Sequence, residues 1–310
     1  MRIALIGQNK FGKSALDAFL EHGFTVAAVF CAPDKPKAPP DPIRVGAEER
    51  GIAVHQLASL KTPQARDLLR QLDVDLGVMA YVLQFVPQDF TSIPVHGMIQ
   101  YHPSLLPKYR GPSSINWPII RGDVKTGLTI FRPTDGLDEG PVILQKETPI
   151  GPDDTLGSVY FGRLFPMGVA ALLEAAELAV KGNVLGTAQD ESAASYEGWC
   201  RGPESLINWH NHVDIVYNLI RGCDPAPGAW TQLFGKKLQL FDARKHSLRR
   251  FTPNVGEIGA ICAIGDQNIR INAQGGQIEV AKVKHGDGEK IPAAKLCADL
   301  GLAPGAVLGS

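Results

Sequence analysis

A single histidine, His102, stands in the run QYHPSLLPKYRG (residues 100–111), behind an apolar stretch and among two prolines, a serine and two cations. Further on, TDGLDEG (residues 134–140) offers three carboxylates, Asp135, Asp138 and Glu139. A histidine on one loop and an acid on another can share a reaction centre, the first as proton donor or oxyanion stabiliser, the second as base. We place the chemistry on His102 and Asp138. Pro103 and Pro107 restrict the histidine loop, and Gly136 and Gly140 allow backbone to approach a ligand closely. Taken alone, His102 has the ordinary reading of a structural histidine. Each acid has the ordinary reading of a turn carboxylate bonded to nearby amides, and charge alone does not choose among the three. Ser104 lacks the GxSxG elbow of a serine nucleophile and reads as a loop-stabilising hydroxyl. Lys108 and Arg110 read as solvated surface charges, with an anionic ligand as the alternative.

These loops need a scaffold that presents strand ends. Residues 2–6 read as a buried strand meeting a turn at Gly7, residues 11–19 have helical spacing, and residues 25–31 form a second apolar strand. That β-α-β alternation predicts a parallel sheet with a right-handed crossover. The first turn, GQNKFG, lacks the GxGxxG spacing of a dinucleotide site. It reads as a tight βα turn, with anion binding at the helix N-terminus as the alternative. Residues 32–42 form a surface loop; helices follow at 44–51 and 62–72, and strands at 53–55, 76–80 and 98–101. Residues 81–87 follow the carboxyl end of a strand, where open α/β sheets bind ligands. Strands at 127–131 and 141–147 flank TDGLDEG as a hairpin, and residues 153–180 read as a long amphipathic helix. Residues 183–204 are polar and read as a linker. A helix at 211–221 and short strands between glycine-rich turns (229–233, 237–243, 256–264, 268–273, 277–283) then indicate a small β-barrel. The expected fold is α/β: a Rossmann-like, mostly parallel sheet with helices on both faces (1–182), a linker (183–204) and a small carboxyl-terminal, OB-like β-barrel (205–310).

Composition narrows the function classes. The chain has 310 residues, 44% hydrophobic and 20% charged, as a globular protein does. With 31 basic and 32 acidic residues, its net charge of -1 gives no general attraction for nucleic acid or anionic membrane. Five scattered cysteines without a CxxC pair argue against a sequence-local zinc site and for buried thiols in a reducing compartment. The opening MRIALIGQN lacks the features of a signal peptide, and no apolar run reads as long enough to span a bilayer. The expected location is the cytoplasm.

HPSLLPKYRG, INWPIIRGD (115–123), GLTIF (127–131) and DGLDEG occur in that order, and together they resemble the folate-dependent formyltransferase family. Within it, the chain is similar to the hydrolase branch formed by the amino-terminal domains of 10-formyltetrahydrofolate dehydrogenases. IGQNKFG, APDK, LQFVP, LQKE, RLFPMG, SYEG and IRGCDPAPGAW carry that likeness along nearly the whole chain. The resemblance implies 10-formyltetrahydrofolate as formyl donor, with no NAD or metal. It implies His102 as the catalytic histidine and Asp138 as the essential aspartate, and places Gln84, Phe85, Val86, Leu137 and Asp138 in folate binding. Gln100 departs from the pattern: most family transferases have asparagine there, and the dehydrogenase-type domain an apolar residue. It is the third catalytic candidate, a carboxamide donor on a longer stem. The implied acceptor is water, releasing formate and tetrahydrofolate, or an amine. Methionyl-tRNA or sugar-nucleotide N-formyl transfer is the alternative, and a non-catalytic folate-binding module the alternative of another class. The loop after the second strand is short and carries Asp34 and Asp41, whereas a tRNA acceptor favours a basic insert. The expected partner is a small-molecule folate, with no membrane or nucleic acid, and a larger multidomain enzyme if the chain is a fragment.

Overall fold

The computed structural model describes residues 1–181, 186–248 and 256–309. Residues 182–185, where the expected linker begins, lie outside the described residues, as do 249–255 and Ser310 of the expected barrel. The chain forms two compact units. The first comprises Met1–Gly111, Gly127–Thr148 and Phe161–Tyr196; the second comprises Pro112–Thr126, Pro149–Tyr160 and Glu197–Ser310.

Side chains alternate across a strand, and β1 (Arg2–Gly7) uses both faces: Ile3 and Leu5 enter one core, Ala4 and Ile6 another. Burial on both faces is what a parallel sheet layered between helices requires. β2 (Thr25–Cys31), β3 (Ala53–Gln56), β4 (Leu76–Ala80) and β5 (Met98–His102) extend the parallel sheet. β6 (Lys125–Phe131) runs antiparallel to β5, and β7 (Val142–Pro149) lies beyond it, giving the order β3-β2-β1-β4-β5-β6-β7. The order reverses between β1 and β4, the kind of switch point where such sheets take ligands. A Cβ on Gly7 would lie 2.3 Å from the Ala80 carbonyl oxygen, so only glycine lets these two strand ends close up.

α1 (Asn9–Glu21) buries Phe11, Ala15, Leu16 and Phe19 on one face of the sheet, joined by Ile43 and Ala47 of α2 (Pro42–Glu48). α2 starts two residues earlier than expected because Asp41 caps Ile43 N at 3.0 Å and Pro42 opens the first turn. The Asp41 carboxylate also accepts from Asn9 N at 2.8 and 3.0 Å, so the protein's own acid occupies the first βα turn. α3 (Pro63–Gln71) and the short α4 (Gln88–Thr91) cover the opposite face through Ala65, Leu69 and Phe90.

α5 (Asn116–Arg121) belongs to the second unit. The long helix expected from residue 153 starts instead at α6 (Leu156–Val159), because Thr155 and Ser158 cap each other's backbone there. A π-helical turn (Tyr160–Leu164) then leads into α7 (Phe165–Val180), whose Ala171, Leu172, Ala175 and Ala176 complete the core under α1. By length and composition the run Leu156–Ala179 is apolar enough to cross a membrane, which corrects the expectation that no run is. Its α7 portion nonetheless spends its apolar side on the sheet, as a core helix does.

In the second unit, α8 (Val213–Gly222) packs on β8 (Ala229–Leu233), β9 (Lys236–Ser247), β10 (Ile261–Ile264), β11 (Ile269–Ala273) and β12 (Gly276–His285). The antiparallel order is β10-β11-β12-β9-β8, with β13 (Lys290–Pro292) on β12 ahead of α9 (Ala293–Leu300). The tail closes it: Gly305 N donates to Ile261 O at 2.8 Å and Gly309 N to Gln232 O at 2.9 Å. Each edge strand thereby takes a backbone bond from the tail, which blunts both edges of the sheet. The five cysteines are free, and burial pushes the Cys31 thiol up to about 12.

Candidate active site

β5 delivers His102 by strand alternation. Ile99 and Tyr101 enter the core under α1, where the Tyr101 ring stacks 4.4 Å from Phe11, so Gln100 and His102 take the opposite face. Register sets their height on the sheet: Gln100 lies across from Phe131 and His102 from Thr129. Thr129 anchors the loop that follows. Its hydroxyl donates to Ser104 O at 2.7 Å and accepts from Leu106 N at 3.0 Å and Gln145 Nε2 at 2.9 Å, which uses its full hydrogen-bonding capacity. Ser104 Oγ donates to Lys108 O at 2.7 Å, which fits its expected loop-stabilising role.

His102 is 6% exposed, and its Nε2 lies 2.9 Å from the Tyr109 carbonyl oxygen. A carbonyl can only accept, so Nε2 carries a hydrogen and Nδ1 is the ring position left to exchange a proton. Nδ1 faces Asp138 Oδ2 at 3.5 Å. Asp138 is 9% exposed, and Oδ2 also accepts the Gly111 N–H at 2.8 Å. Its Oδ1 has no hydrogen-bond partner among the described residues.

Partners separate the three acids that charge could not. Asp135 Oδ1 accepts from Gln88 N at 2.8 Å, and Glu139 Oε1 from the Tyr196 hydroxyl at 2.7 Å. Of the three, Asp138 is the one beside His102. It sits at φ 55°, in the left-handed region that costs a non-glycine residue on the order of 1 kcal/mol. A Cβ on Gly140 would lie 1.7 Å from Arg132 O, so the loop returns to β7 only through glycine there.

Arg110 corrects the surface-charge reading. It is 0% exposed, paired with Glu191 (Nη1–Oε2 2.9 Å, Nη2–Oε1 2.7 Å) and bonded to Gln189 Oε1 and the Tyr196 hydroxyl. These hydrogen bonds, led by Glu191, raise the guanidinium's already high pKa. Lys108 is exposed, as expected.

The other predicted positions are spread over two loops. Gln84 donates Nε2 to Leu57 O at 3.2 Å, while its buried Oε1 has no hydrogen-bond partner among the described residues. Phe85 is 47% exposed, with Lys61 Nζ 4.5 Å from its ring centroid. Val86 is buried beside α3, which leaves its backbone rather than its side chain for a ligand. Leu137 is 55% exposed next to Asp138. The half-buried Gln100 side chain makes no hydrogen bond among the described residues. No group of three or more His, Cys, Asp or Glu among the described residues is placed to hold a metal ion.

Sequence reasoning missed the segment 187–196. Thr187 exchanges two 2.8 Å backbone bonds with Val142, Ser195 Oγ accepts from Tyr109 N at 2.8 Å, and Ser195 O accepts from Arg110 N at 2.9 Å. The described part of the expected linker therefore straps the histidine loop. The SYEG run holds Ser195 and Tyr196 and was the available signal.

Residues 1–174 match the family described as formyl transferase, and residues 202–300 match the formyl transferase C-terminal domain. The chain belongs to the formyl transferase family. It is 39% identical over 248 residues to the cytosolic 10-formyltetrahydrofolate dehydrogenase of Mus musculus, covering 78% of this chain and 27% of that protein. It spans about a quarter of the length of such dehydrogenase relatives. It is 33% identical over 314 residues to the methionyl-tRNA formyltransferase of Geobacter sulfurreducens, covering 100% of this chain and 97% of that one. HypX from Aquifex aeolicus, solved in complex with tetrahydrofolic acid, shares the fold: TM-score 0.66 at 20% identity, over 96% of this chain and 47% of that chain. The His102–Asp138 pair lies in the portion of the chain matched by the family's amino-terminal part.

Proposed function

We propose that this member of the formyl transferase family acts in the cytoplasm on 10-formyltetrahydrofolate with water as acceptor, releasing formate and tetrahydrofolate. The observation that carries the reading is the buried His102–Asp138 pair, with Nε2 committed to Tyr109 O and Nδ1 beside the carboxylate. The exposed Phe85 and Leu137 offer apolar surface for the pterin. Water attacks the formyl carbon, and Asp138 Oδ1 takes its proton. The step uses the doubly protonated His102 ring: the oxygen of the tetrahedral intermediate accepts from Nδ1–H while Nε2–H stays on Tyr109 O, with Gln100 as a second donor. Collapse breaks the carbon–nitrogen bond, and the proton passes to the departing folate nitrogen. A donor to such an oxyanion is worth about 10²–10³-fold, and a positioned base about 10²–10⁴-fold.

Support for water over an amine comes from the sequence resemblance to the hydrolase branch of the family and from the loop after β2. Asp34 pairs with Arg44 at 3.3 Å and accepts from Asp41 N at 3.0 Å, so this loop is tied down, and it carries no net charge because Lys35 and Lys37 are matched by Asp34 and Asp41. Transfer to methionyl-tRNA is the second reading, favoured by the full-length match to the Geobacter sulfurreducens transferase. The deciding experiment incubates the protein with 10-formyltetrahydrofolate, with and without candidate amines. Formate release at the same rate in both supports the hydrolase; rapid formylation of one amine replaces it with transfer. Binding without turnover would leave a folate-binding module.

A further inference from the structure

We propose that Gln189, oriented by the buried Arg110, is a positioning residue for Asp138. This rests on the catalytic reading of Asp138 given above. Asp138 is held in the left-handed region, at φ 55°, by contacts outside its own loop. Gln189 Nε2 donates to the carbonyl oxygens of both Asp138, at 2.8 Å, and Gly140, at 2.7 Å. One carboxamide thus fixes the peptide units that follow each residue.

The orientation of that carboxamide is dictated. Gln189 Oε1 accepts from Arg110 Nε at 3.2 Å and Nη2 at 2.8 Å. A guanidinium only donates, so the oxygen must face Arg110 and both N–H groups must face the carbonyls. Arg110 is itself locked by Glu191 and Tyr196, and Tyr196 passes on to Glu139. The next residue along the chain, Gly111, donates its N–H to Asp138 Oδ2 at 2.8 Å. Arg110–Gly111 therefore grips Asp138 at both ends: the peptide N–H orients the carboxylate, and the guanidinium, through Gln189, sets the backbone. A shift of either end changes how Oδ1 and Oδ2 divide between water and His102.

Gln189→Glu is the test. It keeps the side-chain length and the acceptor for Arg110, but removes both N–H donors and aims an anion at two carbonyls. The assay is turnover of 10-formyltetrahydrofolate with water as acceptor, read as kcat and KM across the pH range in which the protein stays folded. We expect kcat to fall about 10- to 100-fold, the order that small misplacement of a reacting group costs. KM should change little, and the kcat–pH profile should change shape. A residue that only holds the fold would scale the amount of active enzyme and leave the profile unaltered. Should Gln189→Glu fail to fold, Gln189→Ala, which substitutes room for water rather than a charge, is read in the same way. If neither folds, or if the normalised profile and kcat of a folded variant match wild type, the positioning role is overturned. Wild-type and His102→Ala protein are run beside them. Inactive wild type, or active His102→Ala, defeats the catalytic reading itself, whereas normal controls with silent Gln189 variants defeat the positioning role alone.

Discussion

At the residue scale, the chemistry turns on which ring nitrogen is free. Tyr109 O occupies His102 Nε2 at 2.9 Å, so in the proposed reaction the acidic work falls to Nδ1, which lies 3.5 Å from Asp138 Oδ2. His102→Ala removes the oxyanion donor and should lower kcat by at least about 10²-fold. Asp138→Asn keeps an oxygen for Gly111 N–H but abolishes the base, with a loss of about 10²–10⁴-fold. Gln100→Ala should be milder, about tenfold, because Gln100 would supply a second donor to a charge His102 already contacts. Steady-state formate release, normalised to folded protein, measures all three. A silent Gln100→Ala assigns that side chain to packing on the β5 face.

At the element scale, the polar segment 187–196 decides the geometry of the histidine loop. Arg110, hydrogen-bonded to Glu191, holds the Glu191 carboxyl below its ordinary range. The folded value is depressed, so the pair stabilises the fold above the unfolded carboxyl's value of ~4.3, and that contribution is lost as pH falls from there through the folded value. Glu191→Gln should therefore melt below wild type at pH ~7, with the gap closing below pH ~4, as followed by thermal unfolding at a series of pH values. The strands were legible from their apolar patterns: β2 and β4 are nearly unbroken apolar runs, β8 alternates buried Ala229, Thr231 and Leu233 with more exposed Trp230 and Gln232, and all three fall where the sequence places them. Helix starts were less so, since the Asp41 and Thr155 caps act by side-chain bonds that periodicity does not register. The strap was not legible. Its ordering comes from bonds to residues far away in sequence, such as Thr187 to Val142 and Ser195 to Tyr109, and a polar stretch carries no period that announces them. The same blindness hid Arg110. A cation in a proline-framed loop looks solvated until Gln189, Glu191 and Tyr196 arrive from outside that loop to bury it.

At the scale of the whole molecule, the acceptor is a question of charge as well as of catalytic geometry. A chain with net charge -1 lacks the excess of cations by which proteins release counterions from nucleic acid. The loop after β2 adds no net charge, since its Lys35 and Lys37 are balanced by its Asp34 and Asp41. A tRNA acceptor would have to be held by a local patch, and its binding would then weaken steeply as salt rises, by roughly a factor of [salt] to the power 0.9 for each phosphate contacted. Water as acceptor needs no such patch. We therefore expect formate release from 10-formyltetrahydrofolate to be nearly independent of salt and unaffected by added methionyl-tRNA. Turnover is followed at rising salt with and without the tRNA, scoring formyl-methionyl-tRNA beside formate. Stimulation of formyl-folate consumption by the tRNA at low salt, vanishing at high salt with formyl-methionyl-tRNA as product, would assign this chain to transfer. Equal formate release under all four conditions supports the proposed hydrolysis.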